Sequence, residues 1–285
     1  MSSVDGAVAV TTFRGAFWRL YASEARLVLG RRRNQALLVV LSGIPVLIGV
    51  AIYASRPTRP GEGPPFLGQI SGNGLFLVFT ALSVCTPLFL PLTVGVVSGD
   101  SIAGEAGLGT LRYLLTLPVT RTRLLVAKTL GALTFTLSAV LAVTLTGLVA
   151  GGLLFGWHDV TLLSGDTVGI GNGIGRAFLV AAYLVGALSG LVAIGVFVST
   201  MTENAIAAMA TTVGLAVLSF VLDSVPQLSA IHPYLLTHHW LGFGELLRQG
   251  VDSSALLRWT GLHLAYAAVF LSLAYARLGS KDVTS

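Results

Sequence analysis

His232, His238 and His239 lie close together in the last quarter of the chain, and clustered imidazoles are common ligands for transition metals. Their spacing fits no standard zinc pattern, no cysteine is near, and Glu245 and Asp252 stand some distance along the chain. Pro233, Tyr234 and Trp240 among them suit re-entrant or interfacial helices with an aromatic anchor. No bound metal is therefore expected. His263 lies inside an apolar run, where a polar side chain reads as a hydrogen-bonded packing residue before a proton relay. The run GDTVGIGNGIG over Gly165 to Gly175 has neither the spacing nor the preceding strand of a dinucleotide loop, and it reads as an external turn. No Gly-Lys dipeptide occurs, so there is no phosphate loop. Ser-His-Asp spacing, paired carboxylates at helical spacing and H-E-x-x-H are likewise missing. The chain is read as neither an enzyme nor a cofactor carrier.

The most informative stretch is Ser98 to Lys128, SGDSIAGEAGLGTLRYLLTLPVTRTRLLVAK. Within it, Leu111, Leu114 and Leu115, with Leu117 at the margin, share one side of a short helix. Thr110 can cap its start and Pro118 stops it. An exposed leucine face on a short helix has no core of its own. It either docks onto another protein surface or packs beneath the rest of the chain.

Composition indicates what must hold these residues. Of the 285 residues 54% are hydrophobic and only 10% are charged, against about 25% charged in an ordinary soluble domain. About 20 apolar residues are needed to cross a bilayer. Six runs without Asp, Glu, Lys or Arg qualify: Asn34 to Ser55, Gly74 to Val97, Thr129 to Trp157, Ala177 to Met201, Asn204 to Leu222 and Trp259 to Ala276. The first is too long for a cleavable signal peptide and lacks a cleavage site. Cys85 lies within a run, so no intrachain disulfide is possible.

The net charge of +5 does not point to nucleic acid, because the basic residues flank the apolar runs as topology signals do. Arg14, Arg19, Arg26, Arg31, Arg32, Arg33, Arg112, Arg121, Arg123, Lys128, Arg277 and Lys281 fall on one side. Only Arg56, Arg59, Arg176, Arg248 and Arg258 fall on the other. Both termini are therefore expected in the cytoplasm. Residues 11 to 30 place Phe13, Phe17, Leu20, Tyr21, Leu27 and Val28 at roughly helical spacing, with Arg14, Ser23 and Arg26 largely opposite, as in an interfacial amphipathic helix ended by Gly30. Pro45, Pro87 and Pro91 can kink spans, while Gly43, Gly49, Gly186 and Gly190 permit close helix contact.

The fold expected is thus an all-α polytopic membrane protein of six transmembrane helices. It has a tail with an amphipathic helix over 1–33, a membrane domain over 34–278 and a second tail over 279–285. The cytoplasmic loop is 98–128, and the external loops are 56–73, 157–176 and 223–258.

The residues Gly104-Glu105, Gly109-Thr110-Leu111, Leu114-Leu115, Pro118-Val119-Thr120-Arg121 and Ala127-Lys128 resemble the E-x-x-x-G-T-L-x-x-L-L-x-x-P-[VL]-[ST]-R…K signature of type 2 ABC exporter permeases. The resemblance is nearest to the branch holding the permease of the nitrous-oxide-reductase maturation system. It implies that the loop between spans two and three forms a coupling helix seated on a separate cytoplasmic ATPase, which carries the ATP and Mg. By the same resemblance Leu111, Leu114 and Leu115 make the apolar contact and Glu105 and Arg121 brace the loop, pairing with each other. Gly109 permits its tight turn, and Glu203, in the turn Thr200 to Asn204, marks a second, smaller contact.

A second permease chain, the same or a paralogue, is implied as partner, together with membrane lipid, in a bacterial plasma membrane. The function implied is ATP-driven export of an apolar or amphipathic substrate. The alternatives are a mechanotransmitting subunit for extracytoplasmic metalloprotein maturation and, from another class, a non-transporting membrane scaffold.

Overall fold

A computed structural model describes residues 13–55, 73–109, 120–162 and 164–280. The order of helices is α1 (Phe13–Gly30), α2 (Arg32–Ala54), α3 (Leu75–Cys85), α4 (Phe89–Gly107), α5 (Arg121–Phe155), α6 (Ile170–Met201), α7 (Ala205–Asp223) and α8 (Ser253–Ser280). A two-stranded antiparallel ribbon, β1 (Val160–Thr161) on β2 (Thr167–Val168), joins α5 to α6. Among the described residues five helices are long and apolar enough to cross a membrane, or six when the bent pair α3 and α4 counts as one span.

The bend of 55° between α3 and α4 has a local cause. Pro87 has no N–H for the carbonyl of Ser83, and its ring crowds that turn. Thr86 closes the end of α3 with both its amide and its hydroxyl on the Leu82 carbonyl, at 2.9 and 2.7 Å. Pro91 sits in the first turn of α4, where a missing donor costs nothing, and Pro45 lies within an unbroken α2.

The helices outrun the charge-free segments. α5 begins at Arg121 rather than near Thr129, so it is 35 residues long, or roughly 52 Å. α6 begins at Ile170 rather than near Ala177. Absence of charge marks only the part of a helix that lies in hydrocarbon, whereas backbone hydrogen bonding continues wherever no breaker intervenes.

Helices α3 and α6 form the centre. Leu75, Leu77, Val78, Leu82 and Cys85 of α3 are fully buried, as are Leu184, Leu188, Leu191 and Val192 of α6. Outward faces carry large apolar side chains, with Val39 and Leu47 of α2, Leu153 of α5, Ile206 of α7 and Leu257 of α8 each at least 70% exposed. A surface of that kind suits lipid better than water. Backbones meet where side chains are missing. A Cβ on Gly151 would stand 2.1 Å from the Gly74 carbonyl oxygen, so α5 and the start of α3 touch directly. Gly190 faces Leu236, Tyr266 and the His263 carbonyl, while its neighbour Gly186 makes only ordinary contact with Thr260 and Gly43 faces open space.

The segment between α7 and α8 does not form the expected re-entrant or interfacial helices. It consists of short 3-10 turns at Pro226–Leu228, His232–Tyr234 and Gly242–Leu247. Trp240 does not anchor at a surface but is buried with Leu236 and Phe243 in the core.

Candidate functional site

At one end of the bundle, α1 lies across α5, and α4 comes in beside them. Tyr21 of α1 hydrogen-bonds Thr134 of α5 at 2.8 Å, and Gly131 leaves room for Val28 and Glu24 to approach. Glu24 falls on the apolar stripe with Phe17, Leu20, Tyr21 and Val28, so the helical repeat that buries those residues buries a carboxylate too. Its partner is Lys128 of α5, whose Nζ is 2.9 Å from Glu24 and also donates to Glu105 of α4. The three residues are 6%, 3% and 7% exposed. Two carboxylates thus converge on one ammonium where little water reaches, and three helices meet at that point. Charges buried in this way hold only while each has its partner.

A second cluster adjoins the first. Asp100 of α4 accepts from Arg31 at 2.5 Å and from Arg33 at 2.7 Å. Arg31 is the extended residue between α1 and α2, with φ −65° and ψ 125°. Asn34, nearly fully buried, donates to the Val28 carbonyl at 2.7 Å and closes the end of α1. The joint between the two helices is therefore fixed to α4 by charge and to itself by a side-chain amide. An open cleft at this end is lined by Arg31, Arg32, Arg33, Asp100, Gly104 and Leu108.

Within α4, Ser199 of α6 accepts from the amides of Ile102 and Ala103, at 2.9 and 2.7 Å. One hydroxyl oxygen thus takes two consecutive helix amides from a neighbouring helix. Nearby, a Cβ on Gly99 would stand 2.9 Å from the Met209 backbone of α7, so the two helices cross almost in backbone contact.

The residues singled out in the sequence distribute as follows. Glu105 is buried on Lys128, while Arg121 donates to the carbonyls of Leu278 and Gly279 at the end of α8, at 2.8 and 2.6 Å. The expected Glu105–Arg121 pair is not formed. Lys128 lies seven residues, two helical turns, after Arg121 on α5 and points into the bundle, while Arg121 stands at the helix start, beside unpaired carbonyls that attract a cation. Gly109 ends α4 with a φ of 70°, in the left-handed region. Thr110, Leu111, Leu114, Leu115 and Pro118 lie outside the described residues. Glu203 is exposed in the break before α7, and its carbonyl oxygen would stand 2.7 Å from a Cβ on Gly107. The ends of α4 and α6 therefore meet. Asn204 caps α7, accepting from Ile206 and Ala207 at 3.0 and 3.2 Å.

Glu24, Lys128, Asp100, Arg31, Arg33 and Ser199 were not singled out for these roles. The signal for Glu24 was present as a carboxylate on an apolar face. For Ser199, inside an apolar run, there was none.

A family model described as an ABC-2 family transporter protein matches residues 28–283. The chain belongs to the ABC-2 transporter family. Among curated proteins none matches it. The match takes in Arg31, Asp100, Glu105 and Lys128 and leaves out most of α1. Family membership makes this chain a multi-pass membrane transport component, of the permease kind that typically works with an ATPase subunit.

At the far end of α7, about 28 Å away along its 19 residues, Asp223 accepts from His238 Nδ1 at 2.6 Å and stands 4.0 Å from His232 Nδ1. His239 stacks on Trp259 at 5.0 Å. Burial, and after it the neighbouring His238, hold its imidazole below the usual range. His263, in the middle of α8, is fully buried, and neither ring nitrogen has a hydrogen-bond partner among the described residues. It packs, but it is not hydrogen-bonded as expected.

Proposed function

We propose that this chain is the permease subunit of an ATP-driven exporter. The end bearing Glu24, Lys128, Glu105 and the Asp100 cluster faces the cytoplasm, as do both termini, and a separate ATPase seats there. Two permease chains enclose the pathway, and an uncharged lining passes an apolar or amphipathic substrate. The observation that carries this reading is the buried junction of Glu24, Lys128 and Glu105. It ties α1, α4 and α5 together, with Glu105 about one turn before Gly109 and Lys128 about two turns after Thr120. A push on the segment between Gly109 and Thr120 reaches three helices at once, because their charges cannot separate without leaving one unpaired.

Leu108 is exposed at the mouth of this end, three residues before Leu111 in the sequence. The 202–204 break lies against Gly107 and offers the ATPase its second contact. The test is co-purification of the ATPase with Leu114→Asp or Leu115→Asp. Each variant should reduce ATPase recovery at least about tenfold, as removal of a central apolar anchor does, while the permease itself keeps its melting behaviour. Recovery at the wild-type level would remove the coupling assignment.

A further inference from the structure

The geometry points to a divalent metal site of the Zn2+ class formed by Asp223, His232 and His238, at the end of the bundle remote from the charged junction. One carboxylate oxygen and two imidazole nitrogens lie within 4.8 Å of one another. Around a tetrahedral ion with bonds of about 2.0–2.1 Å, donor atoms stand about 3.3 Å apart. The two distances to Asp223 Oδ1, 2.6 Å from His238 Nδ1 and 4.0 Å from His232 Nδ1, straddle that value. Shifts of well under 1 Å, within reach of rotamer adjustment alone, bring both to it.

The hydrogen bonds around the site favour this use. His232 Nε2 lies 3.1 Å from the Val225 carbonyl, which can only accept, so that nitrogen carries the proton. In neutral His232, Nδ1 then presents a lone pair, and it presents it to a carboxylate oxygen. Lone pair facing lone pair is unfavourable unless a cation lies between them. A carbonyl that fixes the outer nitrogen as donor also leaves the inner one ready to ligate. At His238 the Nδ1 proton now bridges to Asp223; an incoming ion would take its place, and the neutral ring would carry its proton on Nε2 instead.

The three side chains are 16 to 33% exposed, enough for an ion to enter and for water to fill the remaining position. Local contacts place each of them. Asp223 ends α7, and His232 opens a 3-10 turn. His238 is held between Thr237, bonded to Ser219 of α7, and His239, whose carbonyl accepts from Tyr183 at 2.5 Å. A bound ion would pin the segment 225–240 to α7. This site does not depend on the export reading.

Zn2+ alone is the probe, added to the full-length chain in lipid nanodiscs after chelator treatment. One Zn2+ per chain should survive dialysis and raise the melting temperature. Asp223→Asn, His232→Gln and His238→Gln should each weaken binding by at least about 100-fold, whereas His158→Gln should bind as the wild type does. Should a variant fail to fold, the wild type still decides: Zn2+ should protect His232 and His238, but not His158, from acylation by diethyl pyrocarbonate. Wild-type-like binding in the three variants, or no protection in the wild type, would mean that a proton alone bridges these groups and would overturn the site.

Discussion

The two ends of the bundle are held by different chemistry. At the Glu105 end, three carboxylates and an ammonium are buried, two guanidinium groups cap them from a more exposed position, and each charge is committed to a partner on another element. At the Asp223 end, the connecting segment is held largely by neutral groups: Tyr183 and Tyr266 donate to the carbonyls of His239 and Tyr234, and Ser219 accepts from the Thr237 amide. Arg176, bonded to the carbonyls of Leu246 and Arg248, is the cation closest in kind to the other end. Buried ion pairs specify one arrangement, because any other strands a charge. Neutral hydrogen bonds to backbone carbonyls are weaker and are exchanged more readily. The charged end is therefore held to one arrangement, while the other end can yield locally.

The sharpest way to break this contrast is to remove the shared ammonium. Lys128→Met leaves Glu24 and Glu105 without the ammonium they share. The loss should be on the order of 3–5 kcal/mol, the usual penalty for stripping one partner from a buried pair, read as a lowered melting temperature in detergent or nanodiscs. The triple variant with Glu24→Gln and Glu105→Gln should recover most of it, since a neutral cluster strands nothing. Failure of the triple variant to recover would mean that Lys128 acts through packing of its stem and not through charge.

A smaller effect separates fixed geometry from fixed charge at the same end. Ser199→Ala removes the acceptor of two α4 amides and should cost about 1–3 kcal/mol, the penalty for leaving buried donors unsatisfied. The loss should be independent of salt and pH. If Ser199→Ala is neutral while Lys128→Met is severe, the charged end depends on charge alone.

Much of the architecture was legible because hydrocarbon excludes charge, and a run without charge is a direct record of where lipid lies. Helix ends were less legible, since α5 and α6 continue for about two turns past that boundary. The bent pair was foreshadowed by Pro87, but proline marks a possible kink and not its angle. Glu105 was singled out through the motif and given the wrong partner, because sequence separation said nothing of which helix face Lys128 would share. Asp223 was overlooked as a companion to the histidines. In the sequence Glu245 and Asp252 follow the histidines, while the carboxylate that arrives comes from the end of the preceding helix. Ser199 carries no signal, as a hydroxyl in an apolar run is ordinary until the amides of a neighbouring helix come within reach of it.

The smallest expected effect tests the yielding end. Tyr266→Phe deletes one hydroxyl, 2.7 Å from the Tyr234 carbonyl at an exposed position, and should cost about 0.5–1.5 kcal/mol. Because that bond joins α8 only to the connecting segment, the cost should fall on local opening. Amide hydrogen exchange of residues 226–247 should quicken up to about tenfold, which is about 1.4 kcal/mol, while the global melting temperature moves little. A global shift approaching that of Lys128→Met would mean that the segment unfolds together with the bundle, since a bond confined to a locally opening unit cannot govern the melting of the whole. Exchange confined to the segment would instead place the boundary between a rigid and a yielding part of the molecule near the end of α7.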